Sequence, residues 1–259
     1  IFVGEAEDFL SELVQAVKGA GGGDGFDRAA ALDELGRCAG VYLPDRVRLI
    51  PDERTGLLVP DPDSTAVDRR VSGLAPRIES PLVPGADIVH DRLALEVMRG
   101  CTGGCRFCQA GMIYRPVRSL EADQVFEELV RQLRLTGYDE ANVLSLSSTD
   151  WRGLSRLIER VLGELGVRAA AINFPSLRVC EAVIQLEWLL AGRRRGTLTI
   201  APEAGSGRLR EVINKPHFTN DEVVRLAEKI FATGFSTLKL YFMFGLPTEL
   251  EEDLEALLE

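Results

Sequence analysis

The sequence predicts an α/β protein whose larger part is a partial (β/α) barrel, preceded by a strand-helix remnant and a proline-rich linker. Three observations predict it. From about Arg92 onward, short apolar runs without turn residues alternate with segments of helical spacing, the pattern of a parallel sheet covered by helices. Upstream, seven of the 12 prolines fall between Pro44 and Pro84, which marks a connection rather than a core. The whole chain of 259 residues is 46% apolar and 27% charged, with a mean hydropathy of +0.03, a composition that can bury a sizeable core and excludes disorder. No apolar run approaches the roughly 18 residues that a membrane helix needs.

Taken in order, Ile1-Phe2-Val3-Gly4 reads as the end of a buried strand. The helix after it spans Glu5 to Gly19, with Phe9, Leu10, Leu13, Val14 and Val17 on one face. With a short helix over Asp27 to Cys38, these elements form a first region, residues 1–43. Residues 44–90 are the linker, with room for one hairpin around the Thr55-Gly56 and Pro62-Asp63 turn signals. Residues 91–259 are the barrel. Its strands are expected at Leu93 to Met98, Val143 to Ser147, Ala169 to Phe174, Thr197 to Ala201 and Thr237 to Phe244. Its helices are expected at Leu120 to Leu135, Trp151 to Leu165, Cys180 to Ala191, Gly207 to Ile213 and Asn220 to Thr233, with a last one from Glu249 onward. The missing initiator Met and the uncapped last helix suggest a chain cut at both ends, the barrel at its C-terminus.

Forty acidic against 30 basic side chains give a formal net charge of −10, which disfavours nonspecific binding of nucleic acid or anionic membrane; no bulk DNA binding is expected. Within that acidic body, Arg92, Arg99, Arg106, Arg115 and Arg118 surround one loop against only Asp91 and Glu96, a positive mouth suited to an anion. Arg193-Arg194-Arg195 reads instead as the solvated last turn of a helix.

That loop carries the chemistry. Directly after the first barrel strand, Cys101, Cys105 and Cys108 form a C-x3-C-x2-C motif, so three of the five cysteines fall within eight residues. Three thiolates at this spacing can share one metal centre, and Gly100, Gly103 and Gly104 let the backbone wrap around it. A structural zinc site wants four ligands, and neither His90 nor His217 lies in the loop. Clustered thiols of odd number also argue against a disulfide framework and for a reducing compartment, here the cytoplasm. The residues alone leave two readings open: a catalytic cluster with one open iron, and a noncatalytic Fe–S or zinc-binding module serving structure or electron relay.

The C-x3-C-x2-C loop with Phe107 before its last cysteine, following a barrel strand, resembles the signature of the radical S-adenosylmethionine (SAM) superfamily. Longer strings, Asp91-Arg92-Leu93, CRFCQAGMIYRPVR over 105–118, Leu144 to Ser148, Pro175-Ser176-Leu177-Arg178, APEAGSGRLREVINK over 201–215 and LKLYFMFGLPTE over 238–249, resemble the bacterial B12-binding radical SAM proteins of unassigned substrate. In that group a Rossmann-like, cobalamin-binding-like domain precedes the barrel, and Val3-Gly4-Glu5-Ala6-Glu7 is similar to its last strand-helix junction, so the resemblance implies that residues 1–43 are the C-terminal remnant of such a domain. No D-x-H-x-x-G stretch is present, so cobalamin is expected only of a full-length protein.

The resemblance implies a radical SAM (β/α) barrel, a TIM-barrel relative, in which Cys101, Cys105 and Cys108 hold a [4Fe-4S] cluster beside Phe107. It implies SAM contacts at Ser147, Ser148, Thr149 and Asp150 after the second strand, at Glu203 and Ser206 after the fourth, at Lys215, and at Gly245 after the fifth. A helix N-cap by Thr149 or Asp150 is the bland alternative for the first set. It implies cleavage of SAM to methionine and a 5'-deoxyadenosyl radical, a one-electron donor such as flavodoxin or ferredoxin, and a substrate that the sequence does not name, with no catalytic residue assigned toward it.

Overall fold

The computed structural model describes residues 1–22, 25–61, 63–64, 67–74, 79–165, 171–175, 177–179, 197–215, 218–232 and 234–258. The helix expected at Cys180 to Ala191, Arg193-Arg194-Arg195 and His217 lie outside the described residues. The chain divides into two compact units, Ile1–Ala75 and Pro76–Glu259.

In the first unit, α1 (Leu10–Gly19) and α2 (Arg28–Leu35) pack together. The Asp27 carboxylate caps α2 by accepting from the Ala29 and Ala30 amides at 2.9 and 3.1 Å. The helix expected from Glu5 begins only at Leu10. Glu5 is buried, its amide donates to the Arg70 carbonyl at 3.1 Å and its carboxylate accepts from the Ser72 amide at 3.0 Å. Those bonds hold Val3 to Glu5 extended, with Gly4 paired to Arg70 in a parallel bridge where a Cβ would meet the Arg70 backbone. The proline-rich stretch contributes an antiparallel hairpin, β1 (Leu49–Pro51) and β2 (Leu58–Pro60).

The second unit is a parallel sheet with helices. Strands β3 (Leu93–Glu96), β4 (Glu140–Leu144) and β5 (Ala171–Asn173) form one parallel ladder, in that order. Strands β6 (Thr197–Glu203) and β7 (Thr237–Phe242) form another, and a parallel bridge from Leu177 to Ile200 joins the chain just after β5 to β6. Strands consecutive in sequence are thus neighbours in space, the arrangement of a (β/α) unit series.

Alternate strand residues point to opposite faces, and the two faces differ in chemistry. Leu93, Ala141, Val143, Ile172, Leu198 and Ile200 are buried in one apolar cluster with Val125, Phe126, Leu129, Leu157, Ile158, Leu226 and Ile230 of the helices. Those helices are α3 (Ala122–Thr136), α4 (Leu154–Arg160) and α6 (Asn220–Ala232), with the shorter α5 (Gly207–Val212) between α4 and α6 in sequence. Helix α3 buries Ala122, Val125, Phe126, Leu129 and Gln132 on one stripe and ends at Gly137, whose φ of 75° closes the helix in the left-handed region. On the other sheet face, Glu140 accepts from Arg92 Nη1 and from Asn173 Nδ2, both at 2.6 Å.

That polar row explains a displaced element. The strand expected at Val143 to Ser147 runs over Glu140–Leu144, because Ala141 and Val143 supply the buried face while Leu144 and Leu146 stay exposed. Ser145 to Asp150 then turn away from the sheet, with Ser148–Asp150 in a 3-10 turn. Neither Thr149 nor Asp150 caps α4, whose N-cap is Gly153, so the N-cap alternative does not hold. The last helix, α7, covers Glu251–Glu255.

Candidate metal centre

The three cysteines sit on the connection that leaves β3, each half-buried and each a free thiol. Met98–Arg99 pairs antiparallel with Arg118–Ser119 and closes the connection at its base. At that base Gly100 has a φ of 88°, and a Cβ there would stand 2.6 Å from the Tyr114 carbonyl oxygen, so only glycine lets the loop close. One helical turn, Ala110–Ile113, follows Cys108.

Backbone and side-chain donors are directed at the sulfurs. The Gly103 amide donates to Cys101 Sγ at 3.3 Å, and the Gly111 amide donates to Cys108 Sγ at 3.4 Å. Arg178 Nη2 donates to Cys101 Sγ at 3.1 Å. Burial pushes the Cys105 thiol above its ordinary range, and the nearby Lys215 and Arg178 cations oppose that rise. Negative charge on Cys101 and Cys108 acts on Cys105 as well, so the three groups are near neighbours.

Among the described residues, no three His, Cys, Asp or Glu side chains surround a single ion position. A cubane cluster makes no such demand, since each cysteine binds a different iron and the sulfurs stand around a body rather than a point. Three thiols on one glycine-bearing loop, with N–H donors and cations directed at them, are a donor set that fits such a cluster.

A second segment braces the loop. The Arg106 amide donates to the Ile213 carbonyl at 3.0 Å, and Asn214 Nδ2 donates to the Gly104 carbonyl at 2.9 Å. Arg106 Nη1 also donates to the Val212 carbonyl. The end of α5 therefore holds the stretch between Gly104 and Arg106 from outside the loop. Asn214 adopts a φ of 57° to make this contact.

Glu203 ends β6 with a φ of 70°, beyond a register break between Ile200 and Glu203. A non-glycine residue held there stores strain, and its surroundings enforce it: the Met243 amide donates to the Glu203 carbonyl at 2.8 Å, and Lys215 Nζ donates to Glu203 Oε1 at 2.9 Å and to the Ala201 carbonyl at 2.7 Å. Lys215 is buried.

The other anticipated contacts are distributed unevenly. Phe107 is exposed at 41% of its surface beside the cysteines. Ser147 and Ser148 are fully buried; the Ser148 hydroxyl bonds that of Ser145 at 2.8 Å, and among the described residues the Ser147 hydroxyl has no partner. Thr149 Oγ1 accepts from the Arg178 amide at 3.3 Å, and Asp150 Oδ2 pairs with Arg178 Nε at 3.2 Å. Ser206 caps α5 by accepting from the Leu209 amide at 3.1 Å and donates its own proton to Asp253, which commits the hydroxyl to the fold. Gly245 has a φ of 76° with open space beside it, and its amide donates to Glu249 at 2.6 Å.

The positive mouth is smaller than the sequence implies. Arg92 pairs with Glu140 and Arg99 with Glu96, each at 2.6 Å, while Arg106, Arg115 and Arg118 donate to backbone carbonyls. Sequence reasoning missed Arg178. Its only trace was its place in the Pro175 to Arg178 string, because its partner Cys101 lies 77 residues away.

The sequence profile described as "Radical SAM superfamily" matches residues 95–259. The chain belongs to the radical SAM superfamily. It is 37% identical over 166 residues to the uncharacterized protein MJ0966 of Methanocaldococcus jannaschii, an alignment covering 63% of this chain and 35% of that protein. Among solved structures it is similar to the cobalamin-dependent S-adenosylmethionine radical enzyme OxsB with aqua-cobalamin bound, at a TM-score of 0.57 and 18% identity over 98% of this chain. The apo, selenomethionine-labelled form of OxsB gives a TM-score of 0.53 at the same identity. Both likenesses establish the α/β fold. The chain spans about a third of each of these proteins, 35% of the curated relative and 34% of OxsB. No helix among the described residues is long and apolar enough to cross a membrane.

Proposed function

We propose that this radical SAM chain is an enzyme that binds a [4Fe-4S] cluster through Cys101, Cys105 and Cys108 and cleaves SAM reductively. The observation that carries the reading is the cysteine loop itself: three half-buried thiols, each on the connection after β3, with amides of Gly103 and Gly111 and the Arg178 guanidinium donating to their sulfurs. Cluster and SAM together would supply one-electron cleavage of the sulfonium to methionine and a 5'-deoxyadenosyl radical, which abstracts hydrogen from a substrate not yet identified.

The chain's own residues do the positioning. Glu203, held in its strained conformation and partnered by Lys215, offers a carboxylate oxygen to a hydroxyl or ammonium group of SAM. Thr149 and Asp150 stand after β4, where a short hydroxyl and a carboxylate suit the methionyl ammonium. Gly245 leaves its backbone open to a flat ring. The Ser147 and Ser148 hydroxyls are buried, and that of Ser206 is committed to Asp253. The electron comes from a flavodoxin- or ferredoxin-type donor in a reducing cytoplasm. Cobalamin belongs to this reading only for a longer protein.

Anaerobic reconstitution with iron and sulfide tests the proposal. About four irons and four sulfides per chain, with a visible spectrum altered by SAM, are expected; one zinc per chain and no response to SAM would overturn it in favour of a noncatalytic module.

A further inference from the structure

Arg178 occupies a position that the cluster reading does not require. Its guanidinium reaches back from the chain after β5 to the cysteine loop, where Nη2 donates to Cys101 Sγ at 3.1 Å. The same group lies directly against Gly103, where a Cβ would displace it. Two further contacts fix it from behind: Nε pairs with Asp150 Oδ2 at 3.2 Å, and the Arg178 amide donates to Thr149 Oγ1 at 3.3 Å. With side chains 21% and 28% exposed, the Arg178 and Asp150 pair is only partly screened by solvent.

We infer that Arg178 is a positioning residue that raises the reduction potential of the cluster through Cys101, with Asp150 as its anchor. The inference rests on the cluster reading above. Adding one electron to a thiolate-bound cluster increases its negative charge by one unit, and a fixed cation with an N–H donor on a ligand sulfur favours the more negative form. Arg suits this task because its planar fork serves the sulfur and the carboxylate at once from a single orientation. A lysine would keep the charge and lose one of the two contacts.

The test uses the full chain reconstituted anaerobically with iron and sulfide, titrated with dithionite while the cluster's visible absorbance and paramagnetic signal are followed. Arg178→Gln should keep its iron and show a lower midpoint, with the reduction equilibrium moved about tenfold toward the oxidised form, about 59 mV for one electron. Arg178→Lys should recover part of that shift. Asp150→Asn releases the anchor but also removes a nearby negative charge, and its midpoint should lie above that of Arg178→Gln. If Arg178→Gln does not fold, the lysine variant carries the comparison, and a midpoint equal to wild type there would overturn the inference. Equal midpoints in wild type and Arg178→Gln, both loaded with cluster, would overturn it while leaving the cluster reading intact. A wild-type chain that takes up no cluster would overturn both.

Discussion

The cysteine loop and the corner between α5 and α7 are built from the same kinds of residues and use them in opposite ways. At the corner, Asp253 is buried and its carboxylate is filled: it accepts from Ser206 and Arg208 and from the Leu250 amide at 2.8 Å. Arg208 also reaches the Thr248 carbonyl at 2.8 Å, and the Gly205 position faces α7 backbone so closely that no Cβ would fit. The Ser206 hydroxyl and the Arg208 guanidinium there both meet acceptors. At the cysteine loop the donors converge on sulfur: amides of Gly103 and Gly111 and the guanidinium of Arg178 are directed at Cys101 and Cys108, with Lys215 near Cys105. A region whose polar groups satisfy one another is architecture. One that gathers donors around ionisable sulfurs is prepared for negative charge that a bound group would bring.

The sharpest way to break that comparison is to remove a sulfur. Cys105→Ala, or the same change at Cys101 or Cys108, should abolish iron uptake on reconstitution, measured by metal analysis, while the far-ultraviolet circular dichroism stays that of the parent. Full iron retention in Cys105→Ala would dissolve the contrast. Glu203→Gln should act next: iron content is retained and SAM affinity falls, because one hydrogen bond to a charged group is worth about 1.5–3 kcal/mol, roughly a ten- to 150-fold change in Kd. Unchanged affinity by titration would make Glu203 part of the framework.

Much of this was legible in the sequence where the signal is local. The C-x3-C-x2-C spacing lies within eight residues, and the alternation of apolar runs with helical stripes placed the second unit's strands and its described helices near their observed positions. What was illegible is pairing over distance. The Arg178 contact with Cys101 spans 77 residues and the Asn214 contact with Gly104 spans 110, and no periodicity announces either. Strand β4 was expected late because Leu144 and Leu146 look like core, whereas the fold buries Ala141 and Val143 and gives Glu140 and Asn142 to the polar face. The start of α1 was expected early because a buried Glu5 bonded to Ser72 and Arg70 cannot be foreseen from helical spacing.

A smaller effect sharpens the architectural side. The Asp253 carboxyl is held at about 2, below its ordinary 3.8, chiefly by its bond from Arg208 and then by that from Ser206. A depressed folded-state value means that the unfolded chain takes up the proton first, so the stabilisation is complete above the ordinary value and is lost as pH falls through about 2. Asp253→Asn should therefore lower the unfolding midpoint at neutral pH, with the difference from wild type shrinking as the pH falls below the ordinary carboxyl value. A difference independent of pH would remove the charge from the account. The smallest effect belongs to Cys38, whose thiol is pushed up by burial and by Glu12 and donates to the Glu34 carbonyl at 3.6 Å. Cys38→Ala should leave iron uptake and SAM response at wild-type values, and iron loss there would move the metal centre out of the loop.

The most direct measurement is the iron and sulfide content of the anaerobically reconstituted wild-type chain, with its visible and paramagnetic spectra recorded before and after SAM. The account predicts about four irons and four sulfides per chain and a spectrum that changes when SAM is added. One zinc per chain, or a cluster whose spectrum is indifferent to SAM, would contradict it.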